Sequence, residues 1–182
     1  MKALFEEQGA FIDIAGFEAR KGQMLDASLV QKPKTRKPTE PRDGEPALTR
    51  QQAAHRDDEA NWTQKHDRSY FGYKNHLNAD VEFGFIRDDA VTPAATHDSQ
   101  ALPEPLDIAQ CGQPLYADSA YRSAATGRRC KDHRLIHRVT HKAQRNRPLR
   151  ATQKRTNHRW AKTRARVEHV FARIELFRKG AP

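Results

Sequence analysis

The chain has 182 residues, enough for one domain of ordinary size, with 31% charged and 36% hydrophobic residues. A net charge of +10 selects a polyanionic partner, nucleic acid first, although it names no activity. No apolar run approaches the ~18 residues of a membrane span, no signal-peptide pattern is present, and Cys111 and Cys130 stand outside any C-x-x-C, which suits a reducing cytoplasm.

Residues 1–20 read as a short amphipathic helix with Leu4, Phe5, Phe11, Ile12 and Ile14 as its apolar points, ended by Gly16 and Gly22. The segment QMLDASLV, residues 23–30, alternates as a strand, with Leu25, Ala27 and Leu29 on one face and Met24, Asp26 and Ser28 on the other. Asp is depleted from strands and costly to bury unpaired, so Asp26 is either a solvated edge residue or a functional one. Residues 31–69 carry Pro33, Pro38, Pro41, Gly44, Pro46 and many charges without a period, and are expected to form a flexible charged loop anchored at Trp62.

FGYKNHLNAD, residues 71–80, and FIRDDAVT, residues 85–92, alternate and form a hairpin across a turn near Glu82 and Gly84. Asp98 or Ser99 is expected to cap a helix that Pro103 and Pro105 cut short. PLYAD, residues 114–118, is a strand ending on Asp118; a helix over 119–129 follows, stopped near Gly127, and RLIHRV, residues 134–139, is the last strand. A basic loop leads into a helix over about 150–178. There Val167, Val170, Phe171 and Ile174 recur at helical spacing as a core face, with Glu168 at its edge. Strands followed by alternating strands and helices give a mixed α/β sheet flanked by helices.

Throughout residues 133–167 there is no Asp or Glu while Lys and Arg recur, so Glu168 is either a partner for Arg164 one turn earlier or part of a site. Asp26, Asp118 and Glu168 stand out by position. Hard divalent cations take oxygen ligands, and phosphoryl transfer with paired metals needs carboxylates from several elements. Spacing alone does not show that these three converge. Cys130, His133 and His137 have zinc-like spacing but no evident fourth ligand, and zinc is not expected.

GQMLDASLV, FGYKNHLNAD, VTPAATHDSQAL, YADSAYRS and TRARVEHVF, in that order, resemble the catalytic region of DDE transposases of bacterial insertion sequences. The resemblance is to the group numbered five in the insertion-sequence-four-like superfamily, over about residues 16–172. It implies a ribonuclease-H-like domain over 21–180, with residues 1–20 as a remnant N-terminal helix. It implies that Asp26, Asp118 and Glu168 bind two Mg²⁺ (or Mn²⁺) ions for DNA strand cleavage and strand transfer at insertion-sequence ends. Arg164 matches a family Arg that contacts DNA phosphate. Lys162 and Arg166, with Lys142, Arg145 and Arg147 from the basic loop and Lys74 and Arg122 from the matched blocks, are the further cations expected on DNA. The expected partners are the insertion-sequence ends and target DNA in the nucleoid, with homodimerisation left open.

Where the superfamily pattern places Tyr and Lys, this chain has Ala161 and Glu175, and few residues precede the first catalytic strand. These departures imply a truncated copy that keeps the fold and loses transposition. The rival expectation is a non-catalytic, basic nucleic-acid-binding remnant.

Overall fold

A computed structural model describes residues 7, 9–12, 14–17, 21–33, 57, 59–65, 67–102, 106 and 111–180. Six strands form one mixed sheet: β1 (Gln23–Gln31), β2 (Asn61–Lys65), β3 (Arg68–Asp80), β4 (Ile86–Pro93), β5 (Pro114–Ala117) and β6 (Ile136–Val139). The long β3 pairs antiparallel with β1 over Gly72–Asp80 and with β4 over Tyr73–Ala79, while its first residues form a hairpin with β2. β5 joins β1 in parallel and β6 joins β5 in parallel. The order β4-β3-β1-β5-β6, three antiparallel strands followed by two parallel ones, is the arrangement of a ribonuclease-H-like sheet.

Each face of the sheet is covered, as its parallel half requires. On one face Leu25, Leu115, Ala117 and Val139 pack with Leu102, Tyr121, Cys130 and Leu135. These come from α1 (Asp98–Ala101), a 3-10 turn (Ser119–Tyr121), α2 (Ala124–Asp132) and the segments that flank them. On the other face Met24, Leu77, Ala79 and Tyr116 pack with Trp160, Val167, Val170, Phe171 and Ile174 from α3 (Ala151–Arg164) and α4 (Arg166–Arg178). The alternation read for the first strand therefore holds, and both of its faces are buried at Met24 and Leu25.

Several expectations change. The helix over 150–178 is two helices, broken at Ala165. Residues 34–56 of the expected loop lie outside the described residues, but 61–65 are a strand, with Trp62 against Phe71 at 5.4 Å between ring centroids. Alternation was hard to see there because Asn61, Trp62, Gln64 and Lys65 are all exposed. α1 is capped by His97, whose ring nitrogen accepts from Ser99 N, and not by Asp98 or Ser99; Pro103 and Pro105 lie outside the described residues. The helix expected over 119–129 splits into the 3-10 turn and α2, because Ser123 caps a fresh start at Thr126 N; Gly127 lies inside α2 and does not stop it. Of residues 1–20, positions 7, 9–12 and 14 are helical and Phe11 and Ile14 are exposed.

The turn after β3 seats the last helix. Asp80, fully buried, accepts from Phe83 N and Phe85 N at 2.6 and 2.8 Å, so its carboxylate is satisfied by backbone donors. Arg166 Nη1 donates to Val81 O at 3.1 Å, and a methyl at Gly84 would lie 3.6 Å from Val170.

Candidate active site

β1 and β5 are parallel neighbours in which Leu25 pairs with Ala117. The next residues are Asp26 and Asp118, so the ladder itself sets the two carboxylates beside one another. Both follow a residue of the opposite face, and period-two alternation points them to the side covered by α3 and α4. β5 ends at Ala117 because Asp118 turns the chain: its Oδ1 accepts from Ser119 N at 2.6 Å and caps the 3-10 turn. Thr140, just past β6, donates to the same oxygen at 3.3 Å.

Asp26 Oδ1 accepts from Ala27 N at 2.9 Å, and Oδ2 is held by Arg164 Nη1 from the last residue of α3. Burial pushes the Asp26 carboxyl above the usual carboxylate range. The neighbouring charge of Asp118 pushes the same way, against the guanidinium of Arg164 and the amide of Ala27. The pair is thus a sheltered concentration of negative charge answered, among the described residues, by Arg164.

A second set of contacts ties α3 to the end of β6. Asn157 accepts from His141 N at 2.8 Å and donates to His141 O at 3.0 Å, the two bonds a neighbouring strand would make. The His141 ring stacks on Trp160 with centroids 5.5 Å apart. Arg122 donates through Nε to Thr140 O at 3.0 Å and lies 3.1 Å from His141 Nδ1. Asn157, Trp160 and Arg164 are spaced three and four apart, so one face of α3 reaches both acids: Asp26 through Arg164, and Asp118 through Thr140 and His141. Sequence reading missed Asn157, Trp160, Thr140 and His141. The helical spacing from Asn157 to Arg164 was the available signal.

Glu168 lies in the first turn of α4 and is exposed. Among the described residues no group of three or more His, Cys, Asp or Glu side chains is drawn together as a metal cluster. The structure joins Asp26 and Asp118 and leaves Glu168 outside an ion-sized set with them. The pair still suits a hard divalent cation: its donors are carboxylate oxygens, and a guanidinium is already drawn to it. Cys130 is buried in the core, away from any such role.

The expected DNA-binding cations divide into two groups. Lys74 is tied to Asp98 and to Thr96 O, both at 2.8 Å, and Arg122 and Arg164 are engaged as above. Lys142, Arg145 and Arg147 are exposed on a turn closed by the Gln144–Arg147 bridge, with Asn146 in left-handed conformation; Lys162 is exposed on α3, and Arg166, exposed on α4, also donates to Val81 O. His76 is no surface residue. It is fully buried in β3, 2.7 Å from Tyr121 Oη and 2.9 Å from Thr92 Oγ1, and burial lowers its pKa.

The domain is ribonuclease-H-like, with an acid pair carried by β1 and the end of β5 and an exposed basic turn. The family described as "Transposase DDE domain" matches residues 18–181, and the chain belongs to that family. It is similar to the transposase for insertion sequence element IS1106 of Neisseria meningitidis serogroup B, with 34% identity over 159 residues. That alignment covers 86% of this chain and 54% of the relative, so the chain spans about half the length of the protein it matches. No helix among the described residues is long and apolar enough to cross a membrane.

Proposed function

We propose that the domain cleaves and rejoins DNA strands at the ends of an insertion sequence, with Asp26 and Asp118 holding a divalent cation, Mg²⁺ or Mn²⁺, between β1 and β5. The observation that carries this is the neighbouring position of the two carboxylates in the β1–β5 register. A bound cation would supply Lewis-acid polarisation of a phosphoryl oxygen and an acidified water or 3′-hydroxyl. The chain supplies the rest. Ser119 N and Thr140 Oγ1 fix the Asp118 carboxylate, and Ala27 N fixes that of Asp26. Glu168, in the first turn of the helix after the Ala165 break, would contribute the third carboxylate to a second ion. Lys142, Arg145, Arg147, Lys162 and Arg166 offer cations to the backbone phosphates, where affinity falls steeply with salt.

The test is cleavage of DNA carrying insertion-sequence ends, with Mn²⁺, by the chain and by its Asp118→Asn and Glu168→Gln variants. Loss of cleavage in both variants supports the reading. Salt-sensitive DNA binding that ignores both substitutions, with no cleavage by any form, favours a non-catalytic binding domain. The exposed basic turn of Lys142, Arg145 and Arg147 is what that second reading would use.

A further inference from the structure

We propose that Arg164 is a built-in counter-cation that competes with the metal for Asp26, so that metal loading and release of this guanidinium are one event. The inference rests on the reading that Asp26 and Asp118 hold the metal.

The competition is for one atom. Asp26 Oδ1 already accepts from Ala27 N, and Asp118 Oδ1 from Ser119 N and Thr140 Oγ1. The Asp26 oxygen without a backbone donor is Oδ2, and Arg164 Nη1 holds it. Both side chains are sheltered, 21% and 20% exposed for Arg164 and Asp26, so the pair is a local contact in a partly dehydrated place and not a screened surface pair. A cation at Oδ2 would face a guanidinium at contact distance, and two like charges there repel strongly at reduced dielectric.

Among the described residues, little besides Asp26 secures the guanidinium. Arg164 Nε is buried and has no hydrogen-bond partner among the described residues. Arg164 is the last residue of α3, and the helix breaks at the next position, so it can turn away without unseating Val167 and Val170 in α4 or Asn157 and Trp160 earlier in α3. Once released, its planar fork is suited to bidentate contact with a phosphate. The empty site therefore has one of its two carboxylates offset by Arg164 and has that arginine withheld from DNA. The loaded site has it free, so metal and DNA backbone bind with positive coupling.

Mn²⁺ titration calorimetry on the purified chain and on Arg164→Gln, Arg164→Lys and Asp118→Asn tests this, with metal-free thermal melts alongside. Arg164→Gln is expected to bind Mn²⁺ on the order of tenfold more tightly, within the usual range of coupling between exclusive ligands, and to melt lower when metal-free. Arg164→Lys, which keeps a charge but loses the fork, is expected to fall between, and serves if the Gln variant does not fold. If Mn²⁺ binding depends on Asp118 but neither Arg164 variant tightens it, the competition is wrong while the metal reading stands. If Asp118→Asn leaves Mn²⁺ binding unchanged, the metal reading fails and takes the competition with it.

Discussion

Asp26 and Asp118 reach their places through backbone pairing, whereas Glu168 reaches its place through side-chain packing. A parallel ladder fixes neighbouring strand residues relative to one another, and Leu25 opposite Ala117 leaves the next two residues no choice but adjacency. The position of Glu168 depends on how Val167, Val170, Phe171 and Ile174 sit on the sheet, and on a helix break two residues before Val167. Helices can pivot on a packed face more easily than strands can slip, because a one-residue slip moves every side chain to the other face. The strand-borne acids are thus the fixed part of the candidate site and the helix-borne acid the adjustable part.

The largest effect is expected where the ladder is disturbed. Gly22 has φ of +99°, and a Cβ there would lie 2.3 Å from Pro114 O, so Gly22→Ala forces β1 away from β5. Urea unfolding should show a loss of about 3 kcal/mol from clash and left-handed strain combined, and Mn²⁺ affinity should fall with it. A variant of unchanged stability would show that the register tolerates displacement.

Emptying the seat of the last helix comes next. Val167 is fully buried between α4 and the sheet. Val167→Ala should cost about 2 kcal/mol through lost contacts and a residual cavity, while Mn²⁺ binding that depends on Asp26 and Asp118 is kept. Equal loss of metal binding would mean that strand and helix acids are not separable as described.

The smallest effect concerns pH on the opposite face. His76 is depressed below its ordinary value by burial, so the unfolded chain takes up a proton before the folded one does. Stability from this group is complete above the unfolded value near 6.5 and is lost as pH falls through it towards the lower folded value. The slope for one such proton is at most about 1.4 kcal/mol per pH unit. Melting temperatures between pH 7.5 and 5, roughly the window in which histidine titrates, should fall less steeply in His76→Gln than in the parent. Parallel slopes would show that His76 does not control acid sensitivity.

What the sequence made readable follows the same division. The faces of β1, the hairpin, the strand ending at Asp118 and the apolar stripe of the last helix are local periodicities, and each appears in the structure. Features settled by distant partners were not readable. On β3, His76, Asn78 and Asp80 are fully buried: His76 meets Tyr121 and Thr92, Asn78 Nδ2 donates to Gln23, and Asp80 accepts from its own turn. The bond from Arg164 to Asp26 spans 138 positions. Local reading pairs Arg164 with Glu168 one turn away, but the Ala165 break interrupts that helical face and burial at Asp26 offers the stronger demand for charge. The expected convergence of Glu168 came from resemblance alone, and its exposed place on α4 is a matter of helix packing that no spacing encodes.

The span of that bond bears on how the chain matures. Synthesis proceeds from the first residue, and the strands that bring the acids together all precede α3. A nascent sheet assembled from residues up to 139 would hold two adjacent carboxylates with no guanidinium to answer them, a conflict that disfavours its early closure. Docking of α3 brings Arg164, and with it Asn157 and Trp160 against the end of β6. The Arg164–Asp26 bond that closes the site is thus among the longest in sequence, and such contacts form late and slowly. Maturation of the acid pair is consequently tied to synthesis of α3, well after the strands that carry the acids.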